Sequence, residues 1–263
     1  MAAPPLRAWQ ILSDGFHEHV RPALRAGAIH VLAWFSDPTR ETDCVRFVYG
    51  HDIQPADVGQ FGRQLDLIQG LGRIVEHDEG LERLASGSLP GRFFCLSFDD
   101  GSATNYDYLF PVLAERGLTA TIFLRTDEID NAGTGGANGY LTWAQCREMA
   151  DSGHLAFGSH THNHANLADL DAAGVRAELE VSKAKIEDQL GRPCLDFSCP
   201  WGKPGVNFRP ERDPAIAREV GFRTFFTTVR GASRAGADPF NLKRDEIGVG
   251  RSLAEIRFFL ARS

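Results

Sequence analysis

The chain has 263 residues and a formal net charge of −7, with 43% hydrophobic and 24% charged residues. That length suits one large α/β domain or two small ones, and the composition is that of a globular chain, not a disordered one. The acidic balance, with no clustered Lys/Arg stripe, speaks against a nucleic-acid partner, and the apolar runs are far too short to span a bilayer. Residues 1–20 include Asp14, His17, Glu18 and His19 and contain no apolar core of signal-peptide length, so an unprocessed, cytoplasmic protein is expected. Five cysteines are scattered without a CxxC pair, which predicts buried free thiols.

In chain order, residues 6–12 and 16–24 read as helices and predict an N-terminal helical extension (1–40) packed on a main domain (41–263). Residues 45–49 read as a strand, and Phe61, Leu65 and Ile68 mark one face of a helix. Residues 92–98 form the next strand, 106–116 a helix closed by Gly117, and 119–124 a strand. A Gly/Asn-rich loop over 133–139 precedes a helix over 142–152, with Thr142 as N-cap and Gly153 as its stop. Residues 155–158 are a strand. The longest helix spans 172–190, with Val175, Leu179, Ile186 and Leu190 on one face and Gly191-Arg192-Pro193 ending it. Strands over 195–199 and 223–228 flank a helix over 214–220, and a helix over 254–260 closes the chain. Strands alternating with helices imply a parallel sheet, whose functional residues collect at the C-terminal strand ends.

Three segments fall at such ends. Asp99 and Asp100 follow the apolar run Phe93-Phe94-Cys95-Leu96-Ser97-Phe98, and Gly101 comes next. His160-Thr161-His162-Asn163-His164 follows a second apolar run, and Cys199-Pro200-Trp201-Gly202 a third. Alone, an Asp-Asp-Gly run is also a common turn, and a histidine-rich loop a polar surface turn. Together they supply the parts of a mononuclear metal hydrolase: one carboxylate and two imidazoles for the ion, one carboxylate left over as base. A helical turn pairs His160 with His164, whereas a strand-like backbone pairs His160 with His162, and spacing alone leaves both open.

Ser97-Phe98-Asp99-Asp100-Gly101 resembles the first motif of the polysaccharide deacetylase family (NodB homology, carbohydrate esterase family 4). Gly158-Ser159-His160-Thr161-His162-Asn163-His164 resembles the second, and Phe197-Ser198-Cys199-Pro200-Trp201-Gly202 the third in its aromatic and Pro-aromatic-Gly parts. The similarity runs from roughly Val45 to Gly250 and takes in Leu141-Thr142-Trp143. The resemblance implies an α/β fold, a distorted (β/α) barrel of about seven strands. It also implies a divalent metal, commonly zinc, held by Asp100, His160 and His164, with Asp99 as general base. The implied substrate is a carbohydrate carrying an N-acyl group, contacted at Pro200 and Trp201, with the Trp201 backbone N–H toward the developing oxyanion.

Two departures from the pattern matter. Amide cleavage must protonate a leaving amine, and many family members take that acid from a histidine near the C-terminus. No histidine follows His164 here. Some relatives draw it from an N-terminal strand instead, which points to His51, just past the strand at 45–49, with His30 as second choice. The third motif often begins with an arginine that pairs with the base; Ser198 stands there, and Arg244 is expected to reach in as its replacement. The expected function is removal of an N-acetyl (or N-formyl) group from an amino sugar or glycan intermediate. The alternative is a degenerate barrel that binds glycan without turning it over.

Overall fold

The computed structural model describes residues 42–133, 136 and 139–261. The helical extension expected over 1–40, with His30, lies outside the described residues. The sheet contains β1 (Cys44–Gly50), β2 (Arg73–Ile74), β3 (Arg92–Phe98), β4 (Ala120–Leu124), β5 (Leu155–Ser159) and β6 (Arg244–Glu246). Its strand order is β5-β4-β3-β1-β6, every pairing is parallel, and β2 lies off that path beside β3. All seven residues of β3 are buried, as expected of a parallel strand covered on both faces.

Register sets up the C-terminal edge. β1 and β3 pair residue for residue from Cys44–Arg92 to Gly50–Phe98, so His51 and Asp99 leave the sheet level with each other. β4 and β5 pair from Ala120–Leu155 to Leu124–Ser159, which brings His160 out beside Arg125. Beyond β5 the expected strands over 195–199 and 223–228 shrink to single parallel bridges, Ser159–Phe197, Ser198–Phe226 and Phe226–Leu242. Pro200 and two left-handed residues, Trp201 (φ 53°) and Gly202 (φ 55°), end the first of these segments at once. Among the described residues the sheet does not close into a barrel through named strands. The bridges nevertheless carry the chain from the β5 edge round to the segment entering β6, in keeping with the expected distorted barrel.

The helices form where apolar spacing and caps agree. In α1 (Val58–Leu71), Phe61, Leu65 and Ile68 are buried. The expected helix over 106–116 is split into a π-helical turn (Asn105–Leu109) and α3 (Phe110–Glu115). Pro111 has no N–H to return to the preceding turn, which accounts for the widened ladder there. α4 is the short Thr126–Asp130. α5 (Trp143–Asp151) starts on a reciprocal cap: Thr142 Oγ1 accepts the Gln145 N–H at 3.2 Å, and Gln145 Oε1 accepts the Thr142 N–H at 2.9 Å. α6 (Ala172–Leu190) is capped by Asp171, which accepts the Gly174 N–H at 2.8 Å, and is stopped by Gly191 at φ 62°. α7 (Asp213–Val220) and α8 (Leu253–Leu260) complete the shell. All five cysteines are free and buried. Among the described residues no helix is long and apolar enough to cross a membrane.

Two helices are absent from the periodicity reading, the short α4 and α2 (His77–Ala85), of which α2 packs across β1 and β3. A Cβ at Gly80 would come within 2.4 Å of Cys95 Sγ, so only glycine permits this approach. His77 is 5% exposed and stands edge-on to Phe47 at 5.4 Å, with Phe226 at 5.4 Å and Phe123 at 6.2 Å. Burial among these rings, against a smaller opposing pull from Asp196, lowers its pKa to about 4. The folded pKa is below the unfolded value of about 6.5, so the unfolded chain takes up the proton first and stability falls as pH drops from about 6.5 toward 4. In urea titrations at pH 7 and pH 4.5, His77→Leu should lose less stability between the two pH values than the parent, by about 2–3 kcal/mol. Equal losses would contradict this assignment.

Candidate metal centre

Asp99 and Asp100 leave β3 in opposite directions. The Asp99 backbone N–H donates to Gly50 O at 3.0 Å, which keeps it in line with the sheet. Its carboxylate points inward, 3% exposed as a residue, onto Arg244. Arg244 Nη1 donates to Oδ1 and Nη2 to Oδ2, both at 2.8 Å, a two-pronged pair with side-chain exposures of 0% and 4%. The guanidinium also donates from Nε to Thr227 O at 3.2 Å and lies 4.4 Å from the centre of the Tyr49 ring. Burial alone would raise the Asp99 pKa; the Arg244 guanidinium outweighs it and holds the carboxyl at about 2. Asp99 is therefore an anion throughout the neutral range. Ser198 places its hydroxyl 3.5 Å from Asp99 Oδ1, so the arginine expected to stand in for a third-motif arginine is Arg244, as anticipated.

Asp100 turns the other way because its backbone is left-handed (φ 74°), and Gly101 follows at φ 75°. A Cβ at Gly101 would come within 2.8 Å of Leu124 Cδ2, which fixes glycine there. Asp100 Oδ1 is a buried acceptor with no hydrogen-bond partner. It faces His160 Nε2 at 3.8 Å and His164 Nε2 at 3.5 Å. His160 Nδ1 lies 2.7 Å from Ser198 O; a carbonyl only accepts, so Nδ1 carries the proton and Nε2 presents a lone pair. Burial lowers the pKa of both imidazoles, that of His164 to about 4, with the neighbouring His160 adding to the effect. Both rings are thus neutral at pH 7.

Three acceptor atoms that converge on one point, one of them buried and orphaned, fit a cation. The donor atoms of Asp100, His160 and His164 all lie within 4.8 Å of one another. Ligands about 2.0–2.2 Å from a tetrahedral zinc stand about 3.5 Å apart, close to the separations found here, and three protein ligands leave a fourth position open. The three residues brought together are Asp100, His160 and His164, but the backbone that carries the histidines is neither a helical turn nor a strand. Residues 160–164 form a loop with Thr161 at φ 66° and His164 at φ 53°. His162 points away from the cluster and its Nδ1 meets Thr126 Oγ1 at 2.9 Å.

The remaining predicted residues surround this cluster. Trp201 is 52% exposed and stands edge-on to His164 with ring centres 4.4 Å apart. Pro200 is buried, and its carbonyl accepts the Gly202 N–H at 2.6 Å, so it shapes the turn that presents Trp201. His51 is exposed, its ring 5.8 Å from that of Tyr49, and its carbonyl accepts from Asn105 Nδ2 at 2.9 Å. Because Gly50 pairs with Phe98, His51 follows β1 at the same edge of the sheet at which Asp99 follows β3. The sequence reading overlooked Glu178, on α6, whose carboxylate accepts from the backbone of the histidine loop. The only signal for it was its position one residue before the buried Leu179.

Comparison with known proteins places this geometry. The polysaccharide deacetylase family profile matches residues 86–225, more than half of the chain. YxkH of Bacillus subtilis (strain 168), a protein of the same kind, is 29% identical over 157 residues, 60% of this chain and 52% of that one. The poly-β-1,6-N-acetyl-D-glucosamine N-deacetylase of Staphylococcus epidermidis is 39% identical over 77 residues, covering 29% of this chain and 26% of that enzyme. The chain thus spans about half the length of one relative and about a quarter of the other. IcaB from Ammonifex degensii superimposes with a TM-score of 0.73 at 24% identity, over 83% of this chain and 97% of that one, and shares the fold. With the profile matched across both the aspartate pair and the histidine loop, this chain belongs to the polysaccharide deacetylase family.

Proposed function

We propose that this protein is a divalent-metal-dependent hydrolase that removes an N-acetyl (or N-formyl) group from an amino sugar. The observation that carries the reading is the orphaned Asp100 Oδ1, set against two neutral imidazoles and beside a carboxylate that Arg244 keeps ionised. Relatives named for the deacetylation of chitin and of poly-β-1,6-N-acetyl-D-glucosamine support an N-acetylated hexosamine as the substrate class.

Asp100, His160 and His164 would hold the ion, with zinc the best match to two imidazoles and one carboxylate. An ion bound there supplies Lewis-acid polarisation of the scissile carbonyl and lowers the pKa of a nearby water. Asp99 then orients that water and takes a proton from it on its carboxylate as the water oxygen bonds to the carbonyl carbon. Arg244 restricts the carboxylate to one orientation, and Ser198 adds a hydroxyl beside it. His51 gives a proton to the departing nitrogen, so that amide and water become free amine and carboxylate. Trp201, with half of its surface open, offers an apolar face to the sugar ring, and its backbone N–H is the proposed second donor to the developing oxyanion.

The first test is metal content against turnover, using acetate release from N-acetylglucosamine oligomers. Asp99→Asn should retain zinc at the parent stoichiometry while kcat falls by about 10²–10⁴-fold. Asp100→Asn and His164→Ala should lose zinc and activity together. Parent-like turnover in Asp99→Asn would remove the base from this scheme. His51→Gln should lower kcat by at least about 10²-fold with zinc retained; an unchanged rate would assign the acid elsewhere. A parent protein that holds zinc yet releases neither acetate nor formate from any amino-sugar panel would favour a glycan-binding barrel without turnover.

A further inference from the structure

The loop that supplies two of the three proposed ligands is held in an unfavourable shape. Thr161 at φ 66° and His164 at φ 53° are non-glycine residues in the left-handed region, which persists only when the surroundings impose it. The imposing element is α6. Glu178 Oε2 accepts the backbone N–H of His162 at 3.0 Å and that of Asn163 at 2.8 Å, while Oε1 accepts from Asn163 Nδ2 at 2.8 Å. Successive N–H groups beside a left-handed residue make a concavity suited to an anion, and this carboxylate fills it. One turn further along α6, Ser182 Oγ meets Ser159 Oγ at 2.6 Å, and Ser159 Oγ accepts the Thr161 N–H at 3.3 Å. The helix thus grips the loop on both sides of Thr161, while Glu178 stays outside the Asp100–His160–His164 cluster.

We infer that Glu178 is a positioning residue for the metal centre, fixing the 160–164 loop so that His164 Nε2 meets the same point as His160 Nε2 and Asp100 Oδ1. The inference rests on the functional reading above only in requiring that a divalent ion binds. Without the carboxylate, two consecutive loop amides lose their shared acceptor and Thr161 is released toward ordinary backbone conformations. Ion binding must then order the loop itself, and the affinity drops accordingly.

The test uses zinc alone, titrated into the metal-free full chain in competition with a chromophoric chelator. Glu178→Ala should weaken zinc binding by about 10–100-fold, the range for partners that orient ligands without touching the metal. Glu178→Gln should fall between Glu178→Ala and the parent, because one amide oxygen still accepts while the NH2 group opposes the loop donors. Urea unfolding of each metal-free variant establishes that the binding change belongs to folded protein. A folded Glu178→Ala that binds zinc as tightly as the parent overturns the inference. Should Glu178→Ala fail to fold, parent-like affinity in Glu178→Gln overturns it equally. A parent chain that binds no zinc overturns the functional reading and this inference with it, whereas an intact parent beside unaffected variants overturns this inference alone.

Discussion

The candidate site depends on the buried ion pair between Asp99 and Arg244. Asp99 and Arg244 meet with almost no solvent on either side, and a charge removed from water is tolerated only with a partner and complete hydrogen bonding. The pair meets that condition through two 2.8 Å contacts between the charges, a third donation to Thr227 O, and the Tyr49 ring against the guanidinium. Much else follows from it. Asp99 is locked as an anion in one orientation, so its neighbour Asp100 has to leave the strand differently, and does so through a left-handed backbone. The sheet has to bring β6 beside β1, in the register Phe47–Arg244, to deliver the guanidinium to the end of β3.

Strain is concentrated at the same edge. Of the five non-glycine residues with positive φ among those described, Asp100, Thr161, His164 and Trp201 belong to the cluster or touch it, and Asp43 alone lies elsewhere. Each costs on the order of 1–3 kcal/mol, which a well-packed framework can sustain and a loose one cannot. The framework here is the fully buried β3 together with β4, β5 and the long helix α6 behind them. Rigid strands set the positions of Asp100, His160 and His164, and unusual backbone at the strand ends sets their directions.

Much of this was legible in the sequence because short motifs at strand ends are local. Asp99-Asp100-Gly101 and the His160–His164 run announce their chemistry by residue type, and the empty arginine position at Ser198 pointed to Arg244. The strands expected over 45–49, 92–98 and 119–124 and the helix over 172–190 follow from apolar period and from Gly or Pro stops, and the structure has them within a residue at each end. What escaped was non-local. Nothing in the spacing of five loop residues reveals two left-handed positions, so spacing leaves the choice between His162 and His164 open and only the resemblance of the motif selects His164. Glu178 reads as one more exposed charge on a helix, since its partners are backbone amides some fifteen residues away. α2 escaped because its apolar face is interrupted by Gly80, which is there for closeness to Cys95. The segments at 197 and 226 have strand-like composition but pair only through isolated bridges, the first of them cut short by Pro200 and the left-handed Trp201 and Gly202.

The 145-residue separation between Asp99 and Arg244 also bears on the order in which the protein comes into being. Asp99, Asp100, His160 and His164 all leave the ribosome well before β6 does. Until β6 is made and docks against β1, the Asp99 carboxylate has a buried destination and no Arg244 to meet it there. The pair that fixes the Asp99 carboxylate therefore closes only once β6 has docked, and the earlier strands must wait for it with their edge incomplete.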